Sequence, residues 1–163
     1  MKVTATEIYR CTPEFYFDKY FDPESRKTRE TEGVGSLSWD LIENTQEGGK
    51  RRIRAKFVEK LDAPAAIRKI FGETSAFEED SVWREGSNVI DMDILPEKMA
   101  KKMSLKGRYI VDDQGDGTCK VTLEMEVKVK IFGLGGLIEK MATKEVPHTF
   151  GKDAKYFNEH IAQ

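Results

Sequence analysis

The sequence predicts an α+β domain in which one antiparallel sheet is covered on a single face by a long C-terminal helix. Two observations carry this. From Cys119 to Ile131 every odd position is apolar and every even one, Lys120 to Lys130, is polar. Side chains alternate across a strand, so one face is dry and the other wet, as in an antiparallel sheet with one solvated side. The second observation is the segment after Ile131: a Gly-punctuated turn, then a long helical stretch whose apolar residues supply the cover. A curved sheet gripping a helix encloses a space, and the function depends on what occupies it.

The earlier elements read in order. Lys2 to Arg10 is rich in β-favouring residues and makes a first strand. Thr12-Pro13-Glu14 supplies an N-cap, a Pro at the first helical position and an acid in the first turn. The aromatic run Phe15, Tyr16, Phe17, Tyr20, Phe21 forms a short helix ending near Asp22-Pro23, and a second short helix covers Glu24 to Glu30. Both pieces are too short to stand alone and need a surface to lie against. From Val34 the period becomes two. Leu37, Trp39 and Leu41 share one face, and after Glu47-Gly48-Gly49 the residues Ile53, Ala55 and Phe57 alternate with Arg52, Arg54 and Lys56, which is a hairpin pattern. Asp62 to Phe71, closed by Gly72, reads as a short helix. Strands resume over Thr74 to Glu85 and Val89 to Leu95, stop at Pro96, and continue through Met103, Leu105, Tyr109 and Val111. Asp112 to Gly117 is a hairpin loop into the long strand.

The terminal helix has a phase problem. Leu134, Leu137, Ile138 and Met141 share one face, while Phe150, Ala154, Phe157 and Ile161 share another. At ~100° per residue these stripes fall on nearly opposite sides of a continuous helix. Pro147 removes a donor and Gly151 loosens the next turn, so a kink or break is expected between about Val146 and Gly151.

Composition bounds the function. The 163 residues make one domain, long enough for a real core. A formal net charge of −2 gives no basic excess for nucleic acid. No apolar run is long enough to span a bilayer, and Met1 to Glu7 lacks the apolar core of a signal peptide. Cys11 and Cys119 are isolated and read as reduced thiols, which points to a cytoplasmic protein.

The stretches Gly107-Arg-Tyr-Ile-Val111, Gly117-Thr118, and Val127-Lys-Val-Lys-Ile-Phe-Gly-Leu-Gly-Gly-Leu-Ile-Glu139, with the element order of the whole chain, resemble the START-like (helix-grip, SRPBCC) superfamily. That superfamily includes the birch-pollen allergens, polyketide cyclases and lipid-transfer domains. The nearest likeness is a bacterial START-like family without an assigned function. The resemblance implies a helix-grip fold spanning residues 1–163 as a single domain. In it a seven-stranded curved antiparallel sheet has two short helices after its first strand and the long helix across its concave face. The Pro147 interruption departs from the unbroken helix of that superfamily. A lipocalin-like barrel is the alternative, but it lacks two short helices after the first strand.

Candidate chemistry is sparse. Gly133-Leu-Gly-Gly136 fits neither GxGxxG nor GxxxxGK[ST] and follows an antiparallel strand, so it reads as a tight turn; the helix N-terminus behind it still offers free amides to an anionic headgroup. Asp112 to Gly117 resembles the opening of a calcium loop, but its twelfth position is Leu123. His148 and His160 belong to no zinc pattern, and no cofactor motif is present. If Phe77, Ser81 and Trp83 face inward, Glu79 does too; a carboxylate in an apolar pocket has a raised pKa and serves as a general acid or base or binds a ligand hydroxyl. A bulge placing Ala76 and Val82 inward is the competing phase. Arg51, Arg52, Arg54 and Lys56 form a basic strand face that offers weak contact to anionic membranes, unless Glu78 and Asp80 pair with it across strands.

The expected pocket lining is Trp39, Phe57, Phe77, Glu79, Trp83, Met92, Leu105, Tyr109, Met125, Ile138 and Met141. Apolar surface with a few polar groups suits a hydrophobic small molecule or lipid, and methionines adapt to varied shapes. The leading expectation is therefore a non-enzymatic binding or transfer protein. The alternatives are a cyclase- or hydratase-like enzyme using Glu79, Tyr109 or His148 for proton transfer, and an interaction module whose cavity is filled.

Overall fold

The computed structural model describes residues 1–162. Seven strands form one antiparallel sheet: β1 (Lys2–Tyr9), β2 (Ser38–Glu47), β3 (Lys50–Lys60), β4 (Thr74–Arg84), β5 (Val89–Pro96), β6 (Met103–Asp113) and β7 (Cys119–Val129). The spatial order is β1-β7-β6-β5-β4-β3-β2. From β2 onward each strand pairs with the next in sequence; only β1 crosses over, placing the N-terminal strand beside β7. Between β1 and β2 lie α1 (Pro13–Tyr20), α2 (Pro23–Thr28) and a π-helical turn, Arg29–Val34. α3 (Ala65–Phe71) joins β3 to β4, and α4 (Gly135–His160) lies across the sheet. This is the helix-grip architecture.

Local chemistry accounts for the starts and stops. Thr12 caps α1, its hydroxyl accepting from Phe15 N at 3.3 Å, and Asp22 caps α2 through Ser25 N at 3.0 Å. In the β6–β7 hairpin, Asp113 accepts from Gly115 N and Asp116 from Thr118 N, at 2.9 and 3.0 Å, so those acids stabilise a turn. At the β7–α4 junction Gly133 has φ 75°, and a Cβ on Gly135 would lie 2.8 Å from Val129 O. Both glycines are demanded by the turn itself.

The core lies between the sheet and α4. Val121, Leu123, Met125 and Val127 of β7 are all buried, with Ile90, Met92, Val111, Ile53, Ala55 and Phe57 from neighbouring strands. The odd phase of β4 faces inward without interruption: Ser81 is fully buried and Glu79 is 5 % exposed.

Two expectations fail in part here. Of the expected kink or break, the break is absent: α4 runs as one helix through Pro147, and its apolar band is single and slanted. It runs through Ile138, Ala142, Val146, Phe150 and Ala154 to Phe157, and steps of four rotate it steadily around the axis. Leu137, placed in the inner stripe by its spacing, is 40 % exposed. Leu37, just before β2, and Leu41 on it are exposed, and on β2 only Trp39 is buried. β2 is an edge strand whose register shifts between Leu41 and Glu43, so its alternation does not report a fully covered face.

Candidate functional site

Sheet and helix do not close on each other everywhere. A cavity of about 270 Å³ lies between the inner faces of β3 to β7, the middle of α4, and the α2–π-turn segment. Of the eleven residues expected to line it, Phe57, Phe77, Glu79, Met92, Leu105, Tyr109, Met125, Ile138 and Met141 do. Trp39 and Trp83 do not. Trp39 is packed beside Phe57 in the main core. Trp83 lies where α1 covers the sheet: its ring stacks on Phe17 with centroids 4.9 Å apart, and its indole N–H donates to Ser87 O at 2.8 Å.

The polar end of the cavity comes largely from a segment that the strand pattern alone does not place. α2 and the π-turn bring Arg26, Arg29 and Glu30 over the sheet, and Gly33 lets this segment approach α4, since a Cβ there would lie 2.8 Å from Tyr156 Cβ. Arg26 Nη2 donates to both oxygens of Glu79, at 3.0 and 2.9 Å. Tyr20 and Ser81 hydroxyls also donate to Glu79, at 3.1 and 2.9 Å. Arg29 grips Asp153 of α4 through Nε and Nη2 at 2.8 and 2.7 Å, and Tyr9 donates to the same carboxylate at 2.7 Å. The guanidinium of Arg26 lies over the Tyr20 ring at 4.3 Å, and that of Arg29 lies 5.1 Å from the Phe157 ring.

These pairs divide the acids into two kinds. Burial pushes the Asp153 carboxyl up, but the Arg29 cation and its hydrogen bonds outweigh it and hold Asp153 below the usual carboxylate range. Glu30 has no such partner. Its nearest cation is Arg26 Nη2 at 3.7 Å, which already serves Glu79, and desolvation pushes Glu30 up to about 7. Glu59 is raised by burial and then by the charge of Glu145. Glu30, Glu59 and Glu145 come from three different elements and all line the cavity. Tyr109 also lines it, and burial is the main cause holding its phenol well above its usual range.

Glu79 thus faces the cavity, with its oxygens engaged by Arg26, Tyr20 and Ser81. His148 is exposed on α4 and does not line the cavity. Among the described residues no group of three His, Cys, Asp or Glu is placed to hold a metal ion. Cys11 and Cys119 are both free and buried.

The basic strand face pairs with Glu78 and Asp80 across strands, the reading the sequence favoured over membrane contact, with Arg51 as the exception. Arg51 lies on the opposite parity, bonding Asp18 at 2.8 Å beside the Phe21 ring. Arg52 pairs with Asp80 at 2.9 and 2.6 Å, Arg54 with Glu78 and Glu43, and Lys56 with Glu97 at 2.9 Å. A cross-strand charge ladder therefore occupies these cations. No helix among the described residues is long and apolar enough to cross a membrane.

Residues 4–161 match the model of the family described as Protein of unknown function (DUF2505), and the chain belongs to that family. No curated protein matches the chain in sequence. Solved structures match in fold. TTHA0849 from Thermus thermophilus aligns with a TM-score of 0.70 at 18% identity, covering 98% of this chain and 95% of that one. A START superfamily protein from Mycobacterium smegmatis gives 0.69 at 13% identity over 98% of both chains. The Zhui aromatase/cyclase from a Streptomyces species gives 0.65 at 10% identity, covering 96% and 94%. At these identities the likeness establishes the START-type helix-grip fold and nothing finer.

Proposed function

We propose that this protein binds and carries a compact apolar molecule in the space between its sheet and α4, without catalysing a reaction. The observation that carries the reading is the cavity itself, about 270 Å³ and lined mainly by Phe, Met, Leu and Ile side chains. At ~30 Å³ per water it has room for about nine waters. That lies near the lower limit of the ~300–1,000 Å³ usual for small-molecule sites. The size suits a single short chain or ring system and excludes a two-chain phospholipid.

The polar complement narrows the guest further. Each arginine is held by an internal carboxylate through part of its guanidinium, and Nη1 of Arg26 and of Arg29 is buried without a hydrogen-bond partner; Glu30, Glu59 and Glu145 line the cavity without a dedicated cation. Five carboxyls (Glu30, Glu59, Glu79, Glu145 and Asp153) against two guanidiniums line this space, a balance that favours a hydrogen-bond donor over an anionic end group. The guest is therefore an apolar body ending in an amine or hydroxyl rather than an acid.

Native mass spectrometry with organic extraction tests for a co-purified guest. Displacement of a neutral naphthylamine dye by octylamine, octanol and octanoate tests the class. The amine and the alcohol should displace the dye at roughly tenfold lower concentration than the acid, a difference of about 1.4 kcal/mol. Equal or better displacement by octanoate would overturn the donor assignment and leave the cavity reading standing. Failure of the dye to bind at all, with no co-purified guest, would remove the carrier reading itself.

One observation favours a second reading. Glu30, with a carboxyl near 7 on the lining of the cavity that Tyr109 also lines, has the protonation behaviour of a general acid–base. Under that reading the same guest is turned over, and Glu30→Gln abolishes turnover while leaving dye affinity intact.

A further inference from the structure

The hydrophobic side chain most at odds with its surroundings is not in the cavity. Phe132, in the turn between β7 and α4, is 104% exposed, the full value for an isolated side chain. One turn into α4, Leu137 is 40% exposed. An apolar pair held out in water on a rigid turn has an energetic cost with no return inside the fold. Its setting supplies the reason. The β5–β6 loop lies against this turn, with Lys130 N donating to Lys102 O at 2.7 Å. Lys101, Lys102, Lys130 and Lys140 are all exposed, and among the described residues none of them forms an ion pair; Lys98 of the same loop is instead turned to Phe71 O, at 3.5 Å. The acids nearby are spoken for: Glu139 accepts from Val129 N at 3.2 Å, Glu126 pairs with Lys128 at 3.4 Å, and Glu97 pairs with Lys56. In a chain of net charge −2 this is a local reversal of sign.

A second feature converges on the same spot. α4 begins at Gly135 with Leu134 at its N-cap and no side-chain capping bond. Gly135 N is taken by Ile131 O at 2.9 Å and Ile138 N by Leu134 O at 3.0 Å, which leaves the amides of Gly136 and Leu137 at the positive end of a 26-residue helix. Phosphate is the group such amides accept.

We infer that the Phe132 turn, the lysines around it and the open N-terminus of α4 form a docking surface for an anionic phospholipid bilayer. Phe132 and Leu137 enter the headgroup–acyl boundary, and the lysines and amides engage lipid phosphates. The surface is also well placed to serve the cavity. Ile131, Leu134 and Met99 pack in one cluster with Met103, Ile138 and Met141, and the last three line the cavity. A guest leaving the bilayer here has an apolar path of one side-chain layer to cross. The docking does not depend on the guest: it stands or falls on the surface alone.

Co-sedimentation with vesicles tests it, using phosphatidylcholine alone and mixtures in which about a third is phosphatidylglycerol. The full chain should bind the anionic vesicles and not the neutral ones. Because position 132 is fully exposed, Phe132→Trp serves as a reporter that leaves the fold intact, and its emission should shift to the blue only with anionic vesicles. Phe132→Ser should lower partition about tenfold, and Lys102→Gln with Lys130→Gln about 25-fold, roughly fivefold for each lysine. The control Arg52→Gln with Arg54→Gln removes the same charge from the β3 ladder and should change partition little. An unshifted Phe132→Trp spectrum, or a loss that follows the β3 pair instead, would overturn the proposal. Dye uptake measured without vesicles tells its failure apart from failure of the cavity reading.

Discussion

The two halves of α4 are built from similar residues and do opposite things. In the C-terminal half, Phe150, Ala154 and Phe157 are buried, and the ring of Phe157 meets Tyr9 edge-on at 5.1 Å. Asp153 holds Arg29 and Tyr9, Asn158 accepts from Arg10 N and donates to Ile8 O, both at 2.8 Å, and Tyr156 donates to Glu32 at 2.9 Å. In the N-terminal half only Ile138 is buried; Met141, Ala142 and Val146 are half-buried and look onto open space. The difference lies beneath the helix rather than in it. α1 fills the region under the C-terminal half with Tyr16 and Tyr20, both nearly inaccessible, whereas at the other half α3 adds only Ile67 and Phe71 to a small cluster with Ile138 and leaves the cavity open under Met141, Ala142 and Val146. One end of the helix is a clamp and the other is a roof. The fold can thus tolerate a void because its stabilising contacts are concentrated elsewhere.

The sharpest way to break that comparison is to attack the clamp. Asp153→Ala leaves Arg29 as a buried, unpaired cation and is expected to cost about 3–5 kcal/mol, a large share of the ~5–15 kcal/mol of an ordinary domain; denaturant melts measure it. Should the loss be under about 1 kcal/mol, the clamp would not be where stability resides. Phe157→Ala comes next at about 3–5 kcal/mol through a cavity walled by rigid rings.

pH separates the two regions next. Glu30 titrates near 7 when folded against 4.5 for a free carboxyl, so between those values the native state holds more protons than the unfolded chain. Stability therefore falls as pH rises through this interval, by at most about 1.4 kcal/mol per unit. Asp153 acts in the opposite direction and in another window: its folded pKa lies below 3.8, so its contribution is complete above that value and is lost only as pH falls further. Thermal melts between pH 5 and pH 7.5 should show the Glu30 slope, and Glu30→Gln should flatten it while Asp153→Asn should not. A slope unchanged by Glu30→Gln would place the titrating group elsewhere.

Much of this was legible in the sequence, and the reasons differ by element. The β7 alternation, the Thr12 cap and the odd phase of β4 are local patterns whose meaning a packed neighbour only confirms. Seven of the residues that line the cavity follow from strand phases of this kind, and Ile138 and Met141 from the spacing on α4. Arg26 and Arg29 do not, because a short helix of mixed polarity gives no period from which to read its buried face. The available signal was indirect: an inward Glu79 requires a buried cation, and α2 is the segment free to supply one. Leu37 and Leu41 misled because an edge strand with a bulge keeps the alternation of a strand without having a cover. The slanted band on α4 was hidden for a geometric reason. Steps of four place Ile138 and Phe150 about 120° apart on an ideal helix, which looks like two stripes unless the surface beneath is known to twist.

The smallest predicted effect is the most discriminating for the roof. Met141 is a large apolar residue in the same helix as Phe157, and were both halves packed alike its truncation to Ala would cost about 2–5 kcal/mol. Facing a cavity that already exists and half-exposed, it has fewer partners to lose, and Met141→Ala is expected to cost about 1 kcal/mol or less. The same change widens the space beneath the helix, so uptake of a bulkier neutral dye should rise as stability barely moves. A full core-like penalty with no gain in uptake would mean that the side chains under this half close together in solution, and that the helix is a clamp along its whole length.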